Sequence, residues 1–314
     1  MVQHERLLEK QNKTPEYTMT SLPLLTVGKA GIQYVTAPVR WRLADTKINT
    51  MQRQLGLEGH PGQELLDLMK NAEEICARVK NDEVLGDYFI LNNPWAERPW
   101  RRFNYWNGWY ALSKLRRPAR ILEIGTAFGF STIAWARGAG DSLKLLVSLD
   151  LGNFGRLFTA EETPHQVDNL SFVKEGIRQY QEEQNIRFEY RQFAVNTQPP
   201  PYTDNEGNPV ECPYWEDNQK LRDMLVKTSF DIVFIDGKHT DNGLFNDLCS
   251  FFSYTSKGGL IVCDDIQHPD AAESMHRFIK VNNRIANYTV WRFLRSNNEY
   301  GGTLRRDQGL IITR

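Results

Sequence analysis

From residue 118 to the C-terminus, short apolar runs alternate with stretches of helical periodicity. Seven runs have the length and character of strands: RILEIG, LKLLVSLD, IRFEYRQF, FDIVFID, GGLIVCDD, TVWRFL and GLIITR. Helical patterns lie between several of them: STIAWARGA, NGLFNDLCSFFSY and AAESMHRFIKV. Strands that alternate with helices predict an α/β fold with a mostly parallel, doubly wound sheet of seven strands. The last two runs have no helix between them, so we expect them to pair antiparallel at one edge of the sheet, which gives an antiparallel edge strand.

This Rossmann-like sheet accounts for only part of the chain of 314 residues. Residues 1–20 are polar and predict a mobile tail. We assign 21–100 to a mainly helical N-terminal cap that contributes to substrate binding, with an amphipathic helix over 61–80, and 101–314 to the main domain. The segment 93–110 is rich in Trp and Arg, typical of either a packed linker or an aromatic wall of a substrate site. Two insertions, 152–185 and 197–219, are long enough to carry function or to be disordered.

The overall composition favours a small-molecule enzyme over a nucleic-acid or membrane protein. The net charge is −1, so the chain has no basic footprint for nucleic acid. No stretch reaches the roughly 18 apolar residues that span a membrane. The four cysteines form no CxxC pair and indicate reduced thiols. We therefore expect a cytoplasmic protein with a small-molecule acceptor, and a homo-oligomer is compatible with the sequence.

A glycine turn joins the first strand of this domain to the following helix. The motif EIGTAFG places Gly125 and Gly129 at G-x-x-x-G spacing, unlike the G-x-G-x-x-G of dinucleotide binders. Glycines allow a ligand to approach the backbone, and the helix N-terminus suits a ligand carboxylate. Asp150 ends the next strand, where an acidic side chain binds ribose hydroxyls in nucleotide-type folds. The alternatives are a plain tight turn and a solvated aspartate.

Carboxylates follow the fourth and fifth strands of the pattern. Asp236 comes after one of them, and Asp264 and Asp265 come at the end of the other. Parallel strands end at one edge of the sheet, so these three side chains are expected to converge, and a cation would relieve their repulsion. Oxygen ligands in this number suit Mg²⁺ or another divalent cation. The alternative is that one or two of them only cap helices.

His239 lies three residues after Asp236, in the loop that leaves the sheet. Its unperturbed pKa near neutrality suits a general base. A metal ligand and a helix-start residue are the two alternatives. His268, which precedes Pro269, is a second histidine that could line the same pocket.

Together, LEIGTAFGFST, SLD, VFIDGKH and GGLIVCDD resemble the class I, metal-dependent O-methyltransferases that use S-adenosylmethionine (SAM). Catechol O-methyltransferase is the broad relative, and bacterial natural-product methyltransferases of the cephalosporin-hydroxylase/macrolide-sugar type are more similar. The resemblance covers about 118–314. It implies SAM as cofactor, bound by Glu123, Gly125, Thr126, Gly129, Ser131, Asp150 and Asp236. It also implies a metal held by Asp236, Asp264 and Asp265, with His239 as the base.

The function expected from the sequence is therefore Mg²⁺-dependent methyl transfer from SAM to a hydroxyl of a small molecule, such as a natural product or a sugar. Two other functions compete with it. One is a nicotinamide-dependent oxidoreductase on the same type of sheet. The other is a non-catalytic partner subunit that keeps the SAM-binding fold.

Overall fold

A sheet of seven strands is the central element of the structure. The computed structural model describes residues 37–59, 61–85, 106–126, 129–150, 187–192, 202–203, 209–210, 223–239, 242–292, 295–297 and 303–314. The strands are β1 Arg120–Ile124, β2 Leu145–Asp150, β3 Arg187–Gln192, β4 Phe230–Ile235, β5 Thr255–Cys263, β6 Ile285–Trp291 and β7 Gln308–Thr313. Their order across the sheet is β3-β2-β1-β4-β5-β7-β6. The predicted mixed α/β sheet is confirmed.

The last two strands pair antiparallel at one edge of the sheet, as predicted, but the strand that runs opposite to the others is the inner strand of the pair. Strands β1 to β5 are parallel, and β7 is antiparallel to both β5 and β6. The antiparallel strand is therefore not the edge strand, because the chain reaches the edge with β6 and then returns into the gap beside β5. Every residue of β7 is buried, whereas Ala286 of the edge strand β6 is exposed and the next two residues are half-buried. Two short ladders lie outside this sheet, pairing Tyr202–Thr203 with Pro209–Val210 and Arg295–Asn297 with Thr303–Arg305.

Seven α-helices are described beside the sheet. They are α1 Ala37–Gln54, α2 Gln63–Cys76, α3 Asn81–Leu85, α4 Trp106–Arg116, α5 Phe130–Ala139, α6 Gly243–Phe251 and α7 Pro269–Val281. The helix expected over 61–80 is α2, which buries Leu65, Leu68 and Ala72 at helical spacing. Helix α7 begins with proline, whose missing N–H costs nothing in the first turn.

The central strands carry apolar side chains on both faces because helices cover both faces. Successive side chains of a strand point to opposite sides. On β4, Phe234 packs in the core formed with α2, α4 and α5, and its neighbour Val233 packs in the core formed with α6 and α7. Both are fully buried. This three-layer arrangement leaves the strand ends as the place where polar groups can gather.

The described N-terminal helices belong to the same compact unit as the sheet, Ala37–Arg314. Helix α2 packs against α4, and Gln52 of α1 donates a hydrogen bond to the carbonyl of Ile266 beyond β5 (3.1 Å). A cap role for 21–100 remains a prediction. The predicted tail, most of both insertions, and 93–105 of the aromatic segment lie outside the described residues. In the described remainder of that segment, Trp106 and Trp109 are buried in the core.

Among the helices that the structure describes, none is both long and apolar enough to cross a membrane.

Candidate functional site

The pairing of four parallel strands fixes where the candidate residues meet. Ile124 pairs with both Leu149 and Ile235, and Ile235 pairs with Cys263. The residues one step further along each strand are Gly125, Asp150, Asp236 and Asp264. The register therefore aligns the glycine turn and three acidic residues along the carboxyl edge of the sheet, where ligands bind in open α/β folds.

The glycine turn follows β1 and leads into α5. Gly125 has φ of 90° and Gly129, the residue before α5, has φ of 76°, which are conformations that favour glycine. We expected these glycines to make room for a ligand. At Gly125 the room is taken by the protein itself, because a Cβ built there would lie 2.0 Å from the carbonyl oxygen of Asp236. The turn is thus in backbone contact with the acidic residue after β4.

Glu123 is buried beneath this turn and joins three elements. Its Oε2 accepts hydrogen bonds from the hydroxyls of Thr132 and Ser148, the latter at 2.5 Å. Burial raises the pKa of Glu123 to about 7; hydrogen bonds from Ser131, Ser148 and Thr132 oppose this, and the charge of Asp236 adds to it. Its Oε1 is buried without a hydrogen-bond partner among the described residues. The side chain therefore ties β1 to β2 and to the start of α5.

Asp150, at the end of β2, is oriented by the turn. Its Oδ2 accepts a hydrogen bond from the backbone N–H of Thr126 at 2.9 Å. The hydroxyl of Thr126 lies 2.5 Å from that of Ser148, which fixes the turn to β2 a second time. The predicted cofactor residues Gly125, Thr126 and Asp150 are thus brought together.

Asp236, His239 and Asp265 form the acidic cluster. His239 Nε2 lies 3.4 Å from Asp236 Oδ1 and 3.3 Å from Asp265 Oδ2. Burial acts to lower the pKa of His239, but the hydrogen bond to Asp236 and the charges of Asp265, Asp236 and Asp264 outweigh it and raise the pKa to about 9. Without a bound cation, the imidazole is therefore positively charged at neutral pH.

Asp264, the third predicted metal ligand, is fully buried and held by the protein's own donors. Its Oδ1 accepts the backbone N–H of Asp265 at 2.8 Å and the side-chain amide of Gln308. Its Oδ2 accepts a hydrogen bond from Arg306 at 3.0 Å. Burial, together with the charges of Asp265 and Asp236, raises its pKa. The closest group of candidate ligands therefore includes His239 in place of Asp264.

Asp265 lies at the centre of the cluster. Burial favours its neutral form, but the charges of Arg306, His239 and His268, with a hydrogen bond from Gln267, outweigh burial and lower its pKa to about 2. Arg306 donates to Oδ1 at 2.6 Å, and so does Gln267 at 2.6 Å. Asp265 is thus a carboxylate at neutral pH. His268, the second candidate histidine, faces His239 with the ring centroids 6.4 Å apart.

The donor set fits a divalent cation. Asp236, His239 and Asp265 each offer one ligand atom, and these atoms lie within 4.8 Å of one another. Two carboxylates with an imidazole suit Mn²⁺, Fe²⁺ or Zn²⁺, and the carboxylate oxygens alone also suit Mg²⁺.

Several residues of this site were missed from the sequence. Gln308 is the first residue of β7 and Arg306 lies two residues before it, far along the chain from Asp264, and no local motif marks them. Asp247 of α6 is buried, and a Cβ built on Gly237 would lie 2.7 Å from its Oδ2. Burial raises the pKa of Asp247 to about 7, against the charge of His239. Its position on the apolar face of a helix is the one signal that the sequence offered.

Comparison with known proteins gives one family match. Residues 122–266, which run from β1 to the turn after β5, match a family model described as a methyltransferase domain. The sequence matches none of the curated proteins compared with it.

The solved structures that this chain matches share little sequence with it, and their TM-scores are below 0.5. An O-methyltransferase from Bacillus cereus, in complex with SAH, is 15% identical, with 79% of this chain and 91% of that chain covered and a TM-score of 0.42. An O-methyltransferase of tomaymycin synthesis from Streptomyces achromogenes, in complex with SAM, is 15% identical, with 87% and 97% covered and a TM-score of 0.41. A methyltransferase from Podospora anserina is 14% identical, with 90% and 98% covered and a TM-score of 0.42.

Proposed function

We propose that this chain transfers a methyl group from SAM to a hydroxyl of a small molecule, because residues 122–266 match a family model described as a methyltransferase domain. The methyltransferase resemblance seen in the sequence is confirmed by the same match. The observation that carries the rest is the strand register, which aligns Gly125, Asp150 and Asp236 along one edge of the sheet. A cofactor site and an acceptor site can then adjoin each other, as in-line transfer between two substrates requires.

The glycine turn and Asp150 are the proposed SAM site. The backbone N–H groups at the start of α5, with Ser131 in its first turn, suit the methionine carboxylate of SAM. The hydrogen bond from Thr126 holds Asp150 Oδ2, and the carboxylate suits the two ribose hydroxyls. Gly129 adopts the positive φ that precedes α5, and Glu123 holds the turn in place through its hydrogen bonds to Thr132 and Ser148. Asp236 adjoins this site through the backbone of Gly125.

The acidic cluster is the proposed acceptor site. Asp236, Asp264 and Asp265 would hold Mg²⁺ or another divalent cation. When bound, the cation would stabilise the negative charge that develops on the acceptor oxygen. His239 would accept the acceptor proton at Nε2, which requires the neutral ring. The positive charge of a cation between the same carboxylates opposes the rise in the pKa of His239, so the two roles are compatible.

A second assignment of the same groups is favoured by one distance. His239 Nε2 lies within 3.4 Å of both carboxylates, so it also suits the role of third ligand in place of Asp264. In that arrangement His239 holds the cation and another group accepts the proton. His268 is the nearest described candidate of suitable chemistry.

Calorimetry and a turnover assay test the proposed function in order. SAM should bind to the purified chain and NADH should not, which separates the methyltransferase from a nicotinamide-dependent oxidoreductase. Release of S-adenosylhomocysteine with a panel of hydroxylated small molecules should then depend on Mg²⁺ or Mn²⁺ and be lost in EDTA. Full turnover in EDTA would refute the cation. SAM binding without turnover on any acceptor would favour a non-catalytic partner subunit.

A further inference from the structure

Arg306 bridges the two adjacent carboxylates that follow β5. Its Nη1 lies 3.0 Å from Asp264 Oδ2 and 2.6 Å from Asp265 Oδ1. Asp264 is fully buried, whereas the Arg306 side chain is 29% exposed. A single guanidinium nitrogen thus shares the charge of two carboxylates at the place where the proposed function requires a divalent cation.

The oxygens of Asp264 are not equivalent. Oδ1 already accepts two hydrogen bonds, from the N–H of Asp265 and from the amide of Gln308. The Gln308 amide is itself held in this orientation, because its Oε1 accepts the indole N–H of Trp109 at 3.2 Å. Oδ2 is therefore the oxygen of Asp264 that a cation could use, and Arg306 donates to it.

The backbone beneath Arg306 is fixed by buried contacts. The N–H of Asp307 donates to Gln267 Oε1 at 2.8 Å, and the carbonyl of Asp307 accepts from Ile266 at 2.9 Å. The buried Asp307 carboxylate pairs with Arg305 at 2.5 Å and with the Gln52 amide at 2.7 Å. The loop is thus anchored on both sides of Arg306, so the side chain can leave the carboxylates without movement of the backbone.

We propose that Arg306 is an exchangeable internal cation: it neutralises Asp264 and Asp265 when no divalent cation is bound and must release Asp264 Oδ2 before that carboxylate can become a ligand. This inference rests on the divalent site of the proposed function. A ligand oxygen lies about 2.0–2.6 Å from Mg²⁺ or Ca²⁺, and a guanidinium on the same oxygen would face the cation at a distance where like charges repel strongly. Arg306 therefore sets the affinity for the cation, and its side chain is a positioning element for the carboxylates.

The test is a titration of the full chain with Mn²⁺ alone, followed by electron paramagnetic resonance of free Mn²⁺. Arg306→Gln removes the charge and keeps a polar side chain, so it should bind Mn²⁺ about tenfold more tightly than wild type, or better, because charge-assisted hydrogen bonds no longer oppose binding. Arg306→Lys keeps the charge but loses the planar fork, so its affinity should lie between the two. Arg78→Gln is the matched control; Arg78 is exposed and pairs with Glu74 on α2, so this variant should bind Mn²⁺ as wild type does.

A second measurement, the melting temperature, shows whether the substitution destabilises the fold. In EDTA, Arg306→Gln should melt at a lower temperature than wild type, because two carboxylates lose their counter-charge, and Mn²⁺ should raise its melting temperature by more than that of wild type. If Arg306→Gln does not fold, Arg306→Lys decides, and an affinity no tighter than that of wild type overturns the proposal.

The failures of the two proposals are distinguishable. Equal or weaker Mn²⁺ binding by Arg306→Gln, with clear binding by wild type, overturns the role of Arg306 and leaves the divalent site standing. Binding by Arg306→Gln alone means that Arg306 excludes the cation instead of exchanging with it, and overturns both the exchange and the metal dependence of the wild-type enzyme. Absence of Mn²⁺ binding in every variant overturns both, while calorimetry with SAM shows separately whether the methyltransferase assignment holds.

Discussion

Gly125 and Asp236 are in backbone contact: a Cβ atom built on Gly125 would lie 2.0 Å from the carbonyl oxygen of Asp236. The contact joins the turn after β1 to the loop after β4 at the point where the N–H of Asp236 donates to Ile124 at 2.8 Å. The proposed cofactor turn and the acidic cluster are therefore one rigid assembly. A substitution that moves the backbone of the turn should therefore also displace the acidic cluster, and the reverse.

Replacement of Gly125 by alanine should be far more costly than the same change at another glycine with positive φ. Gly56 has φ of 68° with no atom within 4 Å of a built Cβ, so Gly56→Ala should cost about 1 kcal/mol of unfolding free energy from backbone strain alone. Gly125→Ala adds a clash with backbone and should cost about 3 kcal/mol or more. Urea unfolding of both variants measures the difference. Equal losses would contradict the contact.

Asp150→Ala should weaken SAM binding by about 1–3 kcal/mol, because the ribose hydroxyls lose their acceptor and the N–H of Thr126 loses its partner. Asp150→Asn is the matched control for the second effect, since its amide oxygen can still accept from Thr126 while the negative charge is gone. Calorimetry should place its SAM affinity between those of Asp150→Ala and wild type. SAM affinity unchanged in both variants would remove Asp150 from the cofactor site.

The fold could be predicted because its signals are local. The strand FDIVFI and the glycine turn around Gly125 can each be recognised from a few consecutive residues. The strands and the alignment of their ends can therefore be predicted from the pattern. The place of β7 could not be predicted in the same way. Its neighbours, β5 and β6, are chosen by tertiary packing, and the uninterrupted apolar run LII is the one signal in the sequence for an inner strand.

The same distinction between local signals and tertiary packing applies to the residues of the candidate site. Asp236 and Asp265 could be placed together because both follow parallel strands. The partners of Asp264 could not, because Arg306 and Gln308 reach it through the return of β7 into the sheet. Asp247 resembled an ordinary helix residue in the sequence. The pKa of its carboxyl is raised because the side chain is buried, and this burial is visible only in the folded structure.

Asp247→Asn should make the chain more stable relative to wild type as the pH rises. The folded pKa of Asp247 is about 7, above the ordinary value of 3.8. Between these values the folded state binds more protons than the unfolded chain, so the free energy of unfolding of wild type falls as the pH rises. Asparagine cannot ionise, and the gain of the variant between pH 4 and pH 8 should be about 4 kcal/mol.

Urea unfolding at the two pH values measures this gain. The charge of His239 acts on Asp247, so the difference between variant and wild type reports the ionisation of Asp247 together with that interaction. Asp67→Asn, on the exposed face of α2, is the control and should show no such gain. If the difference in unfolding free energy between Asp247→Asn and wild type stays constant with pH, the pKa of Asp247 is not raised in the folded state.

His239→Ala should lower turnover by about 10²–10⁴-fold, with SAM and Mn²⁺ affinity nearly unchanged, if His239 is the general base. A ligand role predicts weaker Mn²⁺ binding and rescue of turnover by excess Mn²⁺, because Nε2 faces both Asp236 and Asp265. A structural role predicts a lower melting temperature with near-normal specific activity. His268→Ala is the companion variant, because it removes the facing imidazole, which is exposed and precedes α7. If His239→Ala keeps wild-type turnover and His268→Ala loses it, the proton goes to His268, and His239 serves the carboxylates alone.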